Sequence, residues 1–148
     1  MTANPTRVRV ADAPYRSWTL PRPLRPAARA FAEALFSTHD GPPPAERLDW
    51  LMEELDDYLA RSGSRAQLVF QSGVTGLLTL APLAIGKLPP LTRLSVTDRV
   101  HAIEKVEQSP AGLSVLAAKT MLCFLWYEHP EVRRSVGVDA GCMLEAKS

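Results

Sequence analysis

The sequence predicts an all-α fold: a compact bundle of five to six helices led by an extended N-terminal arm. Three observations predict it. Apolar residues recur at helical spacing through most of the 148 positions, no segment sustains period-two alternation, and prolines crowd the first two dozen residues. A chain of this length hides about 68–70% of its unfolded surface, enough for one domain with a core of its own.

The arm comes first. Pro5, Pro14, Pro21 and Pro23 forbid a helix over residues 1–23, and Arg7, Arg9, Arg16, Arg22 and Arg25 face Asp12 alone in this part of the chain. Tyr15, Trp18 and Leu20 are apolar groups for which a solvated tail has little use, so the arm is expected to order by docking on a partner. The helical domain spans 24–139. Pro26 suits a first turn, and Ala28, Phe31, Ala32, Leu35 and Phe36 share a face of a helix over 26–38. His39-Asp40-Gly41-Pro42-Pro43-Pro44 breaks it.

A second helix over 44–61 follows from Leu48, Leu51, Met52, Leu55, Tyr58 and Leu59, while Glu46, Asp49, Glu53, Glu54, Asp56 and Asp57 gather on its other face. That acidic face reads as a solvated surface or as a contact, one that could include the chain's own basic arm. Between Arg65 and Lys87 no residue is charged. Gln67, Gln71, Thr75 and Thr79 dilute this stretch too much for a favoured membrane span, which leaves a buried core helix bent near Gly73, Gly76 or Pro82, with shallow membrane contact as the lesser reading.

Ser95 with Asp98 three residues later starts a fourth helix, whose predicted stripe is Val96, Val100, Ile103 and Val106. Ser109-Pro110 starts a fifth, apolar nearly all round from Ala111 to Tyr127 with Lys119 as its one charge, and therefore expected at the centre of the bundle. His129-Pro130 ends it, Glu131 to Val136 can form a short helix, and 140–148 is a tail. The uncharged stretch and the fifth helix together are expected to leave an apolar patch larger than a monomer exposes.

Chemistry is harder to place. A net charge of +1 excludes a general polyanion binder, so no nucleic-acid partner is expected. Gly73 and Gly76 lie inside an apolar helical stretch, where no phosphate-cradling turn between strand and helix can form. His39, His101 and His129 are scattered and make no metal pair. Cys123 sits in the most apolar helix, where a thiol is a poor nucleophile, and Cys142 lies in the tail. With two cysteines and no signal-peptide run or twin arginine at its start, the expectation is a cytoplasmic protein with free thiols. These residues point to no catalytic, cofactor or metal site, so the chain is not expected to be an enzyme.

From Leu91 the chain runs Leu-Thr-Arg-Leu-Ser, then Asp98-Arg99-Val100-His-Ala-Ile-Glu-Lys-Val, Ser109-Pro110, an apolar helix, and Trp126-Tyr127-Glu128-His129-Pro130-Glu131-Val132, ending near Gly137 and Asp139. This order resembles the small helical subunit (subunit 3 family) of gluconate 2-dehydrogenase-type flavoproteins. It is also similar to the helical N-terminal extension of long-chain alcohol oxidases. The likeness covers Leu24 to Asp139; Val138 stands where the family's ending usually has Tyr, and the twin-arginine leader of many bacterial relatives is missing.

The resemblance implies a non-catalytic, chaperone-like subunit of a hetero-oligomeric oxidoreductase complex, whose large subunit is a FAD-dependent dehydrogenase or oxidase of the glucose-methanol-choline (GMC) class. FAD would be held by that flavoprotein large subunit and no cofactor by this chain. Tyr15, Trp18 and Leu20 of the arm, with Trp126, Tyr127 and His129, are the candidate contact residues. The alternative is an independent helical module that binds a lipid or another hydrophobic ligand.

Overall fold

The computed structural model describes residues 18–87 and 90–137, and among them the fold is an all-α bundle of six helices. These are α1 (Arg25–Phe36), α2 (Ala45–Ser62), α3 (Ser64–Ala84), α4 (Val96–Glu107), α5 (Gly112–Trp126) and α6 (Pro130–Ser135), with a single 3-10 turn at Leu91–Arg93.

The terminators are local. α1 stops two residues short of the prediction because Ser37 is already extended and Thr38 and Gly41 exchange backbone hydrogen bonds across a tight turn, with Gly41 at φ +122°. Only Gly63, at φ +86°, separates α2 from α3, so the chain reverses on one residue that tolerates a positive φ. α3 closes with a Schellman motif: the Lys87 N–H donates to the Pro82 carbonyl, the Gly86 N–H to that of Leu83, and Gly86 has φ +68°. At the start of α4 the Ser95 hydroxyl accepts from the Asp98 N–H at 3.2 Å, the cap read from the sequence. Asp98 also takes Lys87 Nζ at 2.5 Å, and that ammonium holds its carboxyl below the usual range.

One core serves all six helices. Phe31 of α1, Leu51, Leu55 and Leu59 of α2, Phe70, Val74 and Leu77 of α3, Ile103 and Val106 of α4, Val115 and Leu122 of α5 and Val132 of α6 are all buried in it. Each such side chain contributes about 1.5–3 kcal/mol through the surface it removes from water. The most extensive packing is α3 against α5, then α3 against α4. Gly73 makes the first possible: a Cβ there would lie 2.5 Å from the Ser114 carbonyl oxygen and 3.0 Å from the Ala118 Cβ, so the two backbones meet where only hydrogen fits.

Three expectations change. The buried face of α4 is Arg99, Ala102, Ile103 and Val106, while Val100 is exposed, because the helix turns Arg99 inward toward α1. α5 is not wrapped on all sides: α2, α3 and α4 cover one side, and Leu113, Leu116 and Phe124 face out. The end of the arm, expected to dock on a partner, docks on this chain itself. Leu20 is buried in the common core, its N–H donates to Asp56 Oδ1 at 2.9 Å, and Trp18 packs half-buried against the same core. Arg25 takes Asp56 Oδ2 at 2.5 Å and Arg29 pairs with Asp49, so residues at the arm's end and in α1 neutralise part of the α2 acidic face.

This placement makes Trp18 a stability residue. Cutting a fully buried aromatic to Ala costs ~3–5 kcal/mol, and half-burial scales that to ~1–2 kcal/mol for Trp18→Ala. The urea midpoint of the isolated chain is expected to fall accordingly. An unchanged midpoint would show that Trp18 does nothing for this chain.

Candidate partner-docking surface

The side of α5 away from the core carries Leu113, Leu116, Thr120, Phe124 and Tyr127, spaced three or four residues apart and therefore aligned along the helix. Leu113 is 81% exposed, Phe124 60% and Tyr127 52%. Single exposed apolar residues are ordinary, whereas a row of four along one helix makes a contiguous apolar surface, the kind on which docking sites are built. No free charge interrupts it. Lys119, the only charged residue of α5, donates to Glu107 Oε1 of α4 at 2.9 Å, which ties its ammonium to the neighbouring helix.

α3 repeats the design. Leu68, Ser72, Thr75, Thr79 and Leu83 point out at the same spacing, with Val69 and Leu80 exposed beside them, and no charge occurs from Ala66 to Gly86. One hydroxyl in each row is turned inward to backbone: Thr79 Oγ1 donates to the Thr75 carbonyl at 2.9 Å and Thr120 Oγ1 to that of Leu116 at 2.8 Å. Such bonds leave methyl groups outward and remove the donors that would otherwise have to be desolvated on contact. Two helices held together at Gly73 thus each present an outer face without free charge.

The residues singled out from the sequence are dispersed. Tyr15 lies outside the described residues, as do Val138 and Cys142. Leu20 fills the chain's own core, Trp18 is half-buried on it, and Trp126 is buried, its ring stacked on Phe36 at 4.2 Å and 5°. Leu20 and Trp126 are therefore internal packing residues and not contact residues. Tyr127 is exposed and continues the α5 row. The exposure of Leu113, Leu116 and Phe124 was not foreseen, because a helix apolar all round gives no sign of which side its neighbours leave bare.

His129 has a different setting. It caps α6, its Nδ1 accepting the Glu131 N–H at 3.2 Å, and its ring meets Trp50 of α2 edge-on at 4.6 Å. Arg47 of α2 donates to Glu131 Oε2 at 2.5 Å, and that guanidinium holds the Glu131 carboxyl below the usual range. Burial, helped by the Arg47 charge, pushes the His129 pKa below its ordinary value.

Chemistry finds little purchase here. Burial raises the pKa of the half-buried Cys123 thiol, against a smaller pull from Lys119, so the nucleophilic thiolate is disfavoured. Among the described residues no three of His, Cys, Asp or Glu are grouped to hold a metal. A cleft of about 580 Å3 between α1 and α2 is lined by Arg22, Arg25, Pro26, Arg29, Asp49, Met52 and Glu53, a charged lining that does not suit an apolar ligand. α3 is long and apolar enough to cross a membrane by length and composition, with a third of its most apolar window buried against the bundle. Compared with family models, with curated proteins and with solved structures, the chain gives no match.

Proposed function

We propose that this chain is a non-catalytic accessory subunit that docks on a larger protein through the outer faces of α3 and α5 and stabilises it or helps it mature. The observation that carries this reading is the row Leu113, Leu116, Phe124 and Tyr127 on α5, outward-facing and free of charge. Apolar rows of this kind lose most when left in water, so the chain gains by covering them with a protein surface of matching character. The resemblance of Leu91 to Asp139 to the small subunits of gluconate 2-dehydrogenase-type flavoproteins supports the choice of partner: a FAD-dependent oxidoreductase of the GMC class. In that reading the flavin and the reacting atoms belong to the partner, in the cytoplasm, and this chain contributes area and rigidity.

The test is co-expression with a GMC-class flavoprotein large subunit, followed by pull-down of the wild type, Phe124→Glu and Leu116→Glu. Both positions are exposed, so the variants should keep their helicity. A charge at the centre of an apolar interface should weaken recovery of a yellow partner roughly tenfold or more, since central contact residues cost upwards of ~1–2 kcal/mol when lost. Equal recovery by all three would overturn the docking surface. A monomer that yields extractable lipid and no flavoprotein would favour the ligand-binding alternative.

A further inference from the structure

The junction of α2 and α6 is the least explained polar cluster in the fold. α6 is a single short helix of six residues, held by Val132 in the core, by the Arg47 to Glu131 pair and by the cap that His129 provides. Capping by histidine is unusual in kind. Asn, Asp, Ser and Thr cap with oxygens that do not change state near neutral pH, whereas an imidazole accepts at Nδ1 only while that nitrogen carries no proton.

We propose that His129 is a pH-sensitive latch that fastens α6 to α2 when neutral and releases it when protonated. Geometry supplies the mechanism. A proton on Nδ1 turns the acceptor into a donor that points at the Glu131 N–H, and the cap hydrogen bond is lost. The imidazolium then faces Arg47 of α2 and Arg134 of α6, both cations; the Glu131 carboxylate, already engaged by Arg47, favours it, but burial and Arg47 outweigh that pull. Glu46 lines the same shallow cleft and is the only other carboxylate there among the described residues. Burial adds to the cost, because a half-buried ring pressed edge-on against Trp50 gives up hydration that a cation needs.

The direction follows from the lowered pKa. The neutral latch contributes stability that is fully present above the ordinary histidine value, near 6.5, and is lost as pH falls through the lower value of the folded state. Glu131 works in a more acidic window: its pairing with Arg47 contributes above the unfolded carboxyl value of 4.5 and is lost below it. The two events are thus separable on the pH axis. Loss of the latch would loosen α6, and with it the cover over Val132 and the approach to Trp126 and Tyr127 at the end of α5.

NMR titration of the full chain from pH 7.5 to 5 tests this. The His129 ring should titrate below 6.5, and the Glu131 amide, the Val132 methyls and the Trp50 indole should shift with the same midpoint. In His129→Asn, which keeps a capping acceptor without a titrating ring, those α6 and Trp50 shifts should vanish over this range. Arg47→Gln removes the neighbouring cation and should raise the His129 midpoint, a readout that holds even if His129→Asn folds poorly. The proposal is overturned if α6 stays unmoved while His129 titrates, if His129→Asn shows the same transition, or if Arg47→Gln leaves the midpoint where it was.

Discussion

Replacing Arg99 by Met should destabilise the chain by about 3 kcal/mol, since a hydrogen bond from a charged donor is worth ~1.5–3 kcal/mol and several are lost together. Arg99 is only 6% exposed and spends its whole fork on three parts of the fold. Nε donates to the Leu91 carbonyl at 3.2 Å and Nη2 to that of Leu94 at 2.9 Å. Nη1 reaches the Ala30 carbonyl at 3.2 Å and Glu33 Oε1 at 3.1 Å. The guanidinium therefore joins α1, the 3-10 turn and the entry to α4, donating to the Leu94 carbonyl and adding a second donor to the Leu91 carbonyl, which already accepts the Leu94 N–H, and to the helical Ala30 carbonyl. Methionine matches much of the length but donates nothing. Arg99→Lys should fall between the two, since an ammonium on a flexible stem does not reproduce the planar fork. Glu33→Gln should cost ~1 kcal/mol or less, because that carboxylate is about a third exposed and partly screened. Urea unfolding of the four proteins reads these differences as midpoint shifts. A Met variant within 1 kcal/mol of wild type would show the network to be ornamental.

Gly73→Leu should cost about 3 kcal/mol, the upper end of the range for forcing extra atoms into a packed core. Its first added atom would lie 2.5 Å from a backbone oxygen of Ser114, and backbone gives way less readily than a side chain. Gly73→Ala is the informative companion. Alanine gains ~1 kcal/mol of helix propensity over glycine and meets the same obstacle, so a net loss would show that contact outweighs propensity. A more stable alanine variant would mean that α3 and α5 are free to separate. If they stay apart in the leucine variant, the platform carrying the two apolar rows should change shape, and partner recovery should fall although no row residue was touched.

The helices themselves needed only local information. Periodic apolar spacing placed α1, α2 and α4, and long uncharged or apolar runs placed α3 and α5, all to within a few residues; Ser95 with Asp98, the prolines after Gly41 and Pro130 set helix ends, because caps and breakers act on neighbouring backbone groups. Legibility stopped where an outcome depended on residues far apart in the chain. Arg99, next to the capping Asp98, looks in sequence like any surface arginine, yet its partners Ala30 and Glu33 lie more than sixty positions away. The acidic face of α2 was read as either solvated or met by the basic arm; packing of α1 against α2 settled this for Asp49 and Asp56.

α5 shows the same division most clearly. Its sequence determines a helix and an apolar character on every side, and from those alone a central position is the natural expectation. Which side stays bare is a matter of how many neighbours the chain can bring to it. α2, α3 and α4 cover one side, no helix among the described residues is left for the other, and the surface proposed for docking exists only because of that shortfall. Hydrophobicity is a property of each residue, whereas exposure is a property of the packing around it, and only the tertiary structure supplies the second.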